Sequence, residues 1–276
     1  QELFKNGEIE CFSTLQDSYN KNKYSVKSSP AITLGLIFNP QSKTFSNKNL
    51  RKALAYSIDR NYLSDQINDD TEIASGIIPP AVTLAGRSYR ELSSDSQFSV
   101  YDPDNARKCL QDAKKELNIG SVESVKILVN AETADSGDLH LLSQIWQDTL
   151  GIYIGIEDVT AEEFNKRIAD GNYTIALYPL KGDIGSGISV IGKFEKIDCL
   201  KSAAGNASFT EDILRCADIS SLVESYTSAE KTITGGYGFI PLFYKNAYLV
   251  SSNDNESLIY DPFTGSIDYR LAQNFS

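Results

Sequence analysis

The chain contains no methionine and a single histidine, and each shortage limits what the protein can be. Because the sequence starts at Gln1 without an initiator methionine, we expect a processed protein or a piece of a longer one. With His140 as the sole histidine, no metal cluster or catalytic pair built on two histidines can form. His140 precedes two leucines on a helical pattern, where we expect a surface or partly buried residue and not a general base.

Cysteine is also scarce, with four residues in 276. None belongs to a C-x-x-C pair, and the spacing typical of zinc ligands is absent. Cys199 and Cys216 bracket a polar loop and can be joined in a disulfide. The alternative, four reduced and mostly buried thiols, is the one we favour. The cysteines therefore leave the redox compartment open.

Basic residues are outnumbered, at 26 against 37 acidic ones, which gives a net charge of −11 and a pI near 4.7. Such a surface repels a phosphate backbone, so we expect no nucleic-acid partner. No apolar run approaches the roughly 20 residues of a membrane-spanning helix. The first residues lack the pattern of a signal peptide. The hydrophobic content of 41% suffices for one large or two ordinary domains.

Alternating strand and helix patterns predict the α/β class. Strand patterns occur at 31–40, 124–131, 152–159, 173–180 and 238–250. Helix patterns occur at 101–120, 138–151, 160–171 and roughly 210–234. The alternation between 124 and 180 predicts parallel strands with right-handed crossovers. Gly120 is the expected stop of its helix, Thr160 with Glu163 forms a predicted capping box, and 181–209 is a predicted glycine-rich loop.

The catalytic motifs are incomplete. The run 187–194 fits G-x-x-x-x-G-K, but Phe194 stands where a phosphate-binding loop needs serine or threonine. No G-x-S-x-G elbow occurs. Asp95, Asp102 and Asp104 exemplify carboxylates whose spacing does not indicate acid–base chemistry. We therefore expect a protein that is not an enzyme and that holds neither cofactor nor metal.

The stretch "NKNLRKALAYSIDRNYL" raises a separate question, because "SIDR" stands where a helix interior should continue. Helical spacing of apolar residues runs through Leu50, Ala53, Leu54 and Ile58. We expect Asp59 to end this helix and to cap a second one from Arg60 to Ile67. Arg51 or Arg60 is expected to pair with a carboxylate beneath it.

This stretch resembles the signature of family 5 extracytoplasmic solute-binding proteins, the peptide- and nickel-binding receptors of ABC importers. That signature, Asn-x-x-(Val/Leu)-Arg-x-Ala-(Leu/Phe)-x-x-(Ala/Ser)-Ile-Asp-Arg, is matched from Asn47 to Arg60. Further segments resemble the family in the same order, at 4–12, 36–40, 101–113, 150–157 and 238–244. The resemblance covers nearly the whole chain and assigns the Asp59–Arg60 pair to the scaffold.

The resemblance implies a two-lobe receptor of which this chain is the C-terminal lobe. Residues 1–30 would be a hinge-proximal segment from the first lobe, 31–237 the second, ligand-binding lobe, and 238–276 the return strand or strands. The lobe would be periplasmic-binding-protein-like, with a mainly parallel βαβ sheet flanked by helices. An extracytoplasmic location is implied, with membrane contact only through a lipid anchor upstream of Gln1.

The resemblance also implies where a ligand would bind. In peptide-binding members the segment after the third strand lines the cleft with a pattern near Gly-Trp-x-x-Asp, whose aspartate takes the ligand's α-ammonium. Here "YPLKGD" keeps that aspartate as Asp183, with Pro179 and Leu180 in place of Gly and Trp. Pro179 removes a backbone donor. The predicted ligand contacts are Asp183, Lys181, Leu180 and Tyr178.

The implied function is hinge closure around a peptide or another small solute, recognised by an ABC permease. The alternative is a solute-sensing domain of a transcriptional regulator with the same fold. An enzyme is the third and least favoured class, because the motifs above are incomplete.

Overall fold

The computed structural model describes residues 1–16, 19–67, 71–93, 101–134, 136–252 and 258–270. The strands are β1 Cys11–Thr14, β2 Ser25–Phe38, β3 Thr71–Ile73, β4 Thr83–Leu84, β5 Arg87–Ser88, β6 Val125–Asn130, β7 Ile154–Val159, β8 Ile175–Lys181, β9 Phe239–Ser251, β10 Ile259–Tyr260 and β11 Ile267–Asp268. The helices are α1 Glu2–Lys5, α2 Lys48–Tyr56, α3 Arg60–Ser64, α4 Tyr89–Leu92, α5 Pro103–Leu117, α6 Ser136–Leu150, α7 Ala161–Ala169, α8 Gly187–Ile191, α9 Lys193–Lys196, α10 Asp198–Ala203, α11 Thr210–Leu214 and α12 Ile219–Gly235.

A seven-stranded sheet in the order β1-β9-β2-β8-β6-β7, with β3 also paired to β9, forms the middle of the molecule. Strand β6 pairs in parallel with β7 and β8, which confirms the predicted α/β class and its βαβ unit. The other pairings are antiparallel, because the long strands β2 and β9 run against β8 and against each other. The sheet is therefore mixed, and its parallel part consists of three strands.

Helices cover both faces of this sheet, so the fold has three layers with a core on each side. On one face, α2, α5 and α6 bury side chains against the sheet, including the fully buried Trp146. The Trp146 Nε1–H donates to the Leu54 carbonyl of α2 at 3.1 Å, which satisfies its polar atom. On the other face, helices α7 to α12 enclose a second core that contains Phe164, Phe194 and Tyr226.

The capping residues explain the "SIDR" interruption. Asn47 Oδ1 accepts from the Leu50 N–H at 3.0 Å and starts α2. Asp59 Oδ1 accepts from the Asn61 and Tyr62 N–H groups at 3.1 Å and starts α3, as predicted. The second helix ends at Ser64, which is three residues earlier than expected.

The two arginines of this stretch bind backbone carbonyls. Arg51 donates to the Phe45, Ser46 and Gly236 carbonyls. Arg60 donates to the Ala74 and Pro241 carbonyls, and burial lowers its pKa to about 10. Both side chains therefore tie α2 and α3 to neighbouring segments, which is a scaffold role.

Several local predictions need correction. Helix α5 ends at Leu117 with Asn118 in the left-handed region (φ 54°), so Gly120 does not stop it. The segment 181–209 is not a loop throughout, because α8, α9 and α10 lie within it. The Thr160 side chain accepts from the Glu163 N–H at 3.3 Å, as half of a capping box. All four cysteines, Cys199 and Cys216 among them, are free thiols.

The first and last segments of the described chain meet in the sheet. The end of β9 pairs with β1 on one side and with the start of β2 on the other, so Cys11 and Ser25 both face Ser251. A hairpin of β10 and β11 follows and packs beside β1, where the Cys11 sulfur lies 3.3 Å from the Tyr269 hydroxyl. The division at residues 30 and 237 remains a prediction, and 253–257 and 271–276 lie outside the described residues.

Candidate functional site

The carboxyl ends of the three parallel strands define one edge of the sheet. Strands β6, β7 and β8 end at Asn130, Val159 and Lys181, and parallel pairing brings these ends together. In open α/β sheets, ligands bind outside the carboxyl ends of the strands. The predicted segment "YPLKGD" therefore lies at the edge where this fold places ligands.

Strand β8 has an open side at this edge. It pairs with β2 along its whole length, from Phe38–Ile175 to Ile32–Lys181. Its pairing with β6 stops at Leu177. Within the described ranges no strand pairs with the last residues of β8 on the β6 side. The main chain after Leu177 is consequently available to an added strand.

The hydrogen-bond alternation shows which groups face that opening. The Asn39 N–H donates to the Thr174 carbonyl at 3.0 Å, which makes this a hydrogen-bonded pair of the antiparallel ladder. Alternation from there directs the main chain of Tyr178 and Leu180 toward β2, and that of Pro179 and Lys181 toward the opening. Because the nitrogen of Pro179 faces the opening, its missing N–H removes no hydrogen bond from the pairing of β8 with β2. The opening offers the Pro179 carbonyl with the N–H and carbonyl of Lys181.

The side chains of the predicted contacts divide between the two faces of the sheet. Leu180 is 1% exposed within the second core. Its side chain is therefore buried in the protein interior, whereas we had predicted a ligand contact. Tyr178 is half-buried against the same core, where burial and then Cys199 raise its pKa to about 12. Lys181 points to the opposite face, and partial burial lowers its pKa although Asp261 opposes this effect.

Asp183 lies on the turn that follows β8, and its side chain is 75% exposed. The Ser189 Oγ accepts from the N–H groups of Asp183 at 2.6 Å and of Ile184 at 3.2 Å, which fixes this turn to α8. Gly182 permits the close approach, because a Cβ there would lie 3.0 Å from the Ile184 carbonyl oxygen. The carboxylate is thus held at the strand end and faces solvent.

The Asp183 carboxylate has a partner of its own. Lys193 Nζ donates to Asp183 Oδ1 at 2.5 Å, and this bond lowers the pKa of Asp183 below its usual range. The C-terminal hairpin borders the turn on its other side, where the buried ring of Phe263 lies against Gly185. The sequence did not reveal Lys193, because its position depends on the packing of α8 and α9.

A polar cavity of about 350 Å³ opens at the same edge. Its lining residues are Leu15, Gln16, Ala131, Glu132, Ala134, Asp158 and Lys245. Glu132 follows β6, and Asp158 is the last residue but one of β7. These strand-end positions are the signal in the sequence that would have indicated the cavity. Lys245 arrives from β9, which no local pattern predicts.

A larger groove of about 650 Å³ lies at the opposite, amino-terminal ends of the strands. It contains the exposed His140 and Tyr153, and an ion pair of Arg167 with Glu157 at 3.1 Å. Its volume exceeds that of the other cavity. We place the candidate site at the carboxyl ends nevertheless, because the open strand edge and Asp183 are found there.

The other sequence candidates have structural roles where they can be described. Asp102 caps α5, Asp104 pairs with Arg107 at 2.9 Å on the surface, and Asp95 lies outside the described residues. Within the described ranges, no three His, Cys, Asp or Glu side chains come together as a possible metal site. None of the helices there is both long and apolar enough to cross a lipid bilayer.

The fold is of the kind found in periplasmic-binding-protein-like relatives. The family of bacterial extracellular solute-binding proteins, family 5 Middle, matches residues 1–195, and this chain belongs to it. The resemblance seen in the sequence is thereby confirmed.

Individual relatives agree with this assignment. Oligopeptide-binding protein OppA of Bacillus subtilis (strain 168) is 23% identical over 161 residues, which are 57% of this chain and 29% of the relative. The pheromone receptor PrgZ, solved for its mode of peptide binding, superposes on 100% of this chain with a TM-score of 0.75 and 21% identity. The substrate-binding domain of an oligopeptide ABC transporter from Bacillus anthracis str. Ames superposes on 98%, with a TM-score of 0.72 and 19% identity.

These relatives are longer than the chain, which spans 55% of each of the two solved structures. The relatives named above are binding proteins and a receptor, which favours the expectation that the chain is not an enzyme. The comparisons give no support to the transcriptional-regulator alternative.

Proposed function

We propose that this chain is the ligand-binding lobe of the solute-binding component of an ABC importer, which takes up peptides or another small solute. The observation that carries the proposal is the open side of β8 at the carboxyl edge of the sheet, next to the exposed carboxylate of Asp183. An extended peptide needs a row of main-chain partners and a counter-charge for its amino end. Both are present within five residues, from Pro179 to Asp183.

Recognition would proceed by strand addition. The Lys181 N–H and carbonyl and the Pro179 carbonyl pair with the peptide backbone, while Asp183 accepts from its ammonium group. Because this pairing uses the main chain, it accommodates peptides with many different side chains. Tyr178 borders the site from the second core and Lys181 from the first. Leu180 contributes only by packing beneath the strand.

The other half of the binding site would come from a second lobe. Strands β1, β2 and β9 run together at one end of the sheet and are the candidate hinge. Closure about this hinge would bury the ligand and present both lobes to a membrane permease. No bond is made or broken in this scheme. An extracytoplasmic location, with attachment through a lipid anchor outside this chain, belongs to the same proposal.

Backbone NMR of the ¹⁵N-labelled chain tests the location of the site. Titration with trialanine to millimolar concentration is expected to shift the amides of Lys181, Gly182, Asp183 and Ile184 most strongly. Shifts confined to the opposite groove around Lys126 and Tyr153 would contradict the proposal. So would the absence of any shift at the end of β8.

A further inference from the structure

The carboxylate proposed to receive the ligand's ammonium already has a resident cation. Lys193 Nζ lies 2.5 Å from Asp183 Oδ1. The Lys193 side chain is only 20% exposed, whereas that of Asp183 is 75% exposed. The lysine therefore approaches from within the protein, and the solvent side of the carboxylate stays open to a ligand.

The structure holds both partners of this pair in place. Asp183 is fixed through Ser189, as described above. Lys193 begins α9 directly after Gly192, where a Cβ would lie 2.9 Å from the Ile188 carbonyl oxygen. The next residue, Phe194, is fully buried and packs against Phe239 with ring centroids 5.2 Å apart. The lysine is thus more restrained than a cation on an exposed helix.

A restrained cation changes what Asp183 can recognise. An incoming ammonium has to share the carboxylate with Lys193, and two cations about 5 Å apart in a water-exposed site repel each other. That repulsion lowers affinity for a free amino terminus by about three- to tenfold. Lys196 adds a weaker positive field without a contact to Asp183. A ligand with a neutral amino end does not meet this repulsion.

We propose that Lys193 determines specificity at this site, by offsetting Asp183 so that ligands with blocked or neutral amino ends are accepted beside free peptides. The proposal rests on the proposed function and adds the chemical class of the ligand's amino end. Lys193 acts here through Asp183 and is a positioning residue.

The experiment compares trialanine with N-acetyl-trialanine, by NMR titration of the chain and of its Lys193→Gln variant. Lys193→Gln is expected to raise affinity for the free peptide about three- to tenfold. Affinity for the acetylated peptide should change less than about twofold. Lys196→Gln removes the same formal charge without breaking the ion pair, and should alter either affinity by less than about twofold. Lys193→Arg keeps the cation and should retain the wild-type ratio.

Three results would overturn the proposal. One is an unchanged free-peptide affinity in Lys193→Gln, which leaves the proposed function intact. Another is an equal change for both peptides, which would assign Lys193 to structure. The third is an equal effect of Lys196→Gln, which would indicate that the overall positive charge near the site, and not the Asp183–Lys193 ion pair, sets the affinity. If neither peptide shifts the amide signals at the end of β8, in the wild type or in a folded variant, this proposal and the proposed function both fail.

Discussion

At the scale of single residues, Asp183 combines exposure with a fixed backbone, and this combination suits a ligand contact. The Ser189 hydroxyl accepts from two successive N–H groups of the turn. A pre-positioned acceptor loses little conformational entropy when a ligand binds.

Asp183→Asn keeps the shape of the side chain and removes its charge. In the receptor with both lobes, we expect it to weaken binding of peptides with free amino ends about five- to tenfold, because a charge-assisted bond is lost. Calorimetry with free and acetylated peptides provides the measurement and its control. An equal loss for acetylated peptides would count against the ammonium role.

The pH dependence gives an independent check on the same residue. Lys193 lowers the pKa of Asp183 in the folded protein, so the carboxylate keeps more of its charge near pH 3.9, where an ordinary aspartate is half protonated. The binding that depends on its charge should therefore persist from neutral pH to about pH 4 and decline as pH falls through the lowered pKa. In Lys193→Gln the decline should begin at higher pH.

At the scale of secondary-structure elements, β8 is the strand that carries the proposal, and Pro179 is its unusual residue. The proline lies at an outward-facing position near the strand end, where it leaves the ladder to β2 intact. The missing N–H of Pro179 therefore removes a donor only from the open side of β8, where a ligand would pair.

Pro179→Ala restores one N–H to the open side of β8. We expect peptide affinity to rise about three- to tenfold, because the new donor can bond a ligand carbonyl. A peptide methylated at its backbone nitrogens has lost its N–H donors and keeps its carbonyl acceptors. Titration with this peptide and with the unmodified one therefore separates the hydrogen bonds that the ligand donates from those that it accepts. The substitution adds only a donor, so the gain should appear with both peptides. Unchanged affinity for both peptides would show that ligand main chain does not pair at this position.

A buried ion pair joins helix α12 to α4, and its carboxylate also binds the segment that precedes β4. Glu230 is fully buried and accepts from Arg90, from the Tyr89 hydroxyl at 3.0 Å, and from the N–H groups of Ile77 and Ile78 at 2.6 and 2.7 Å. The carboxylate is thus the shared acceptor of four donors. Loss of its charge leaves a buried arginine without its counter-ion.

Glu230→Gln should lower the free energy of unfolding by about 3 kcal/mol. Urea denaturation of the chain measures this directly. Glu224→Gln, on the exposed side of the same helix, is the matched control and should change the value by less than about 0.5 kcal/mol. Equal effects of the two substitutions would contradict the structural role of the buried pair.

The elements that were predicted correctly depend on local chemistry. Asp59 caps α3 through N–H groups at most three residues further along the chain, so the sequence alone indicates this start. Helices α8 to α10 were missed because each is short and they are interrupted near Gly192 and Ile197. Helices of four to six residues span less than two turns, which is too short for a repeating apolar pattern to be recognised.

The candidate site was predictable only in part, for a related reason. The position of Asp183 after a strand is a local feature and was predicted. The open side of β8 depends on where β6 stops pairing, and the Asp183–Lys193 bond depends on how α8 and α9 fold back. Contacts of this kind are set by tertiary packing.

At the scale of the whole molecule, the proposed function makes this chain one half of a binding site. It spans 55% of the two solved relatives named above, and in the proposed function its open strand edge supplies one side of a cleft. We expect the isolated chain to bind peptides more weakly than micromolar, because the contacts from a second lobe are absent. Calorimetric detection of micromolar affinity in the chain alone would refute this prediction.

Amide hydrogen exchange of Lys181 in the receptor with both lobes is the sharpest test of strand addition at β8. Its N–H faces the open side of β8, where the proposed function requires a main-chain bond to the ligand. Saturation with peptide should slow exchange of this amide by at least about tenfold. If the peptide binds and exchange at Lys181 stays unchanged, strand addition at β8 is not how this protein holds its ligand.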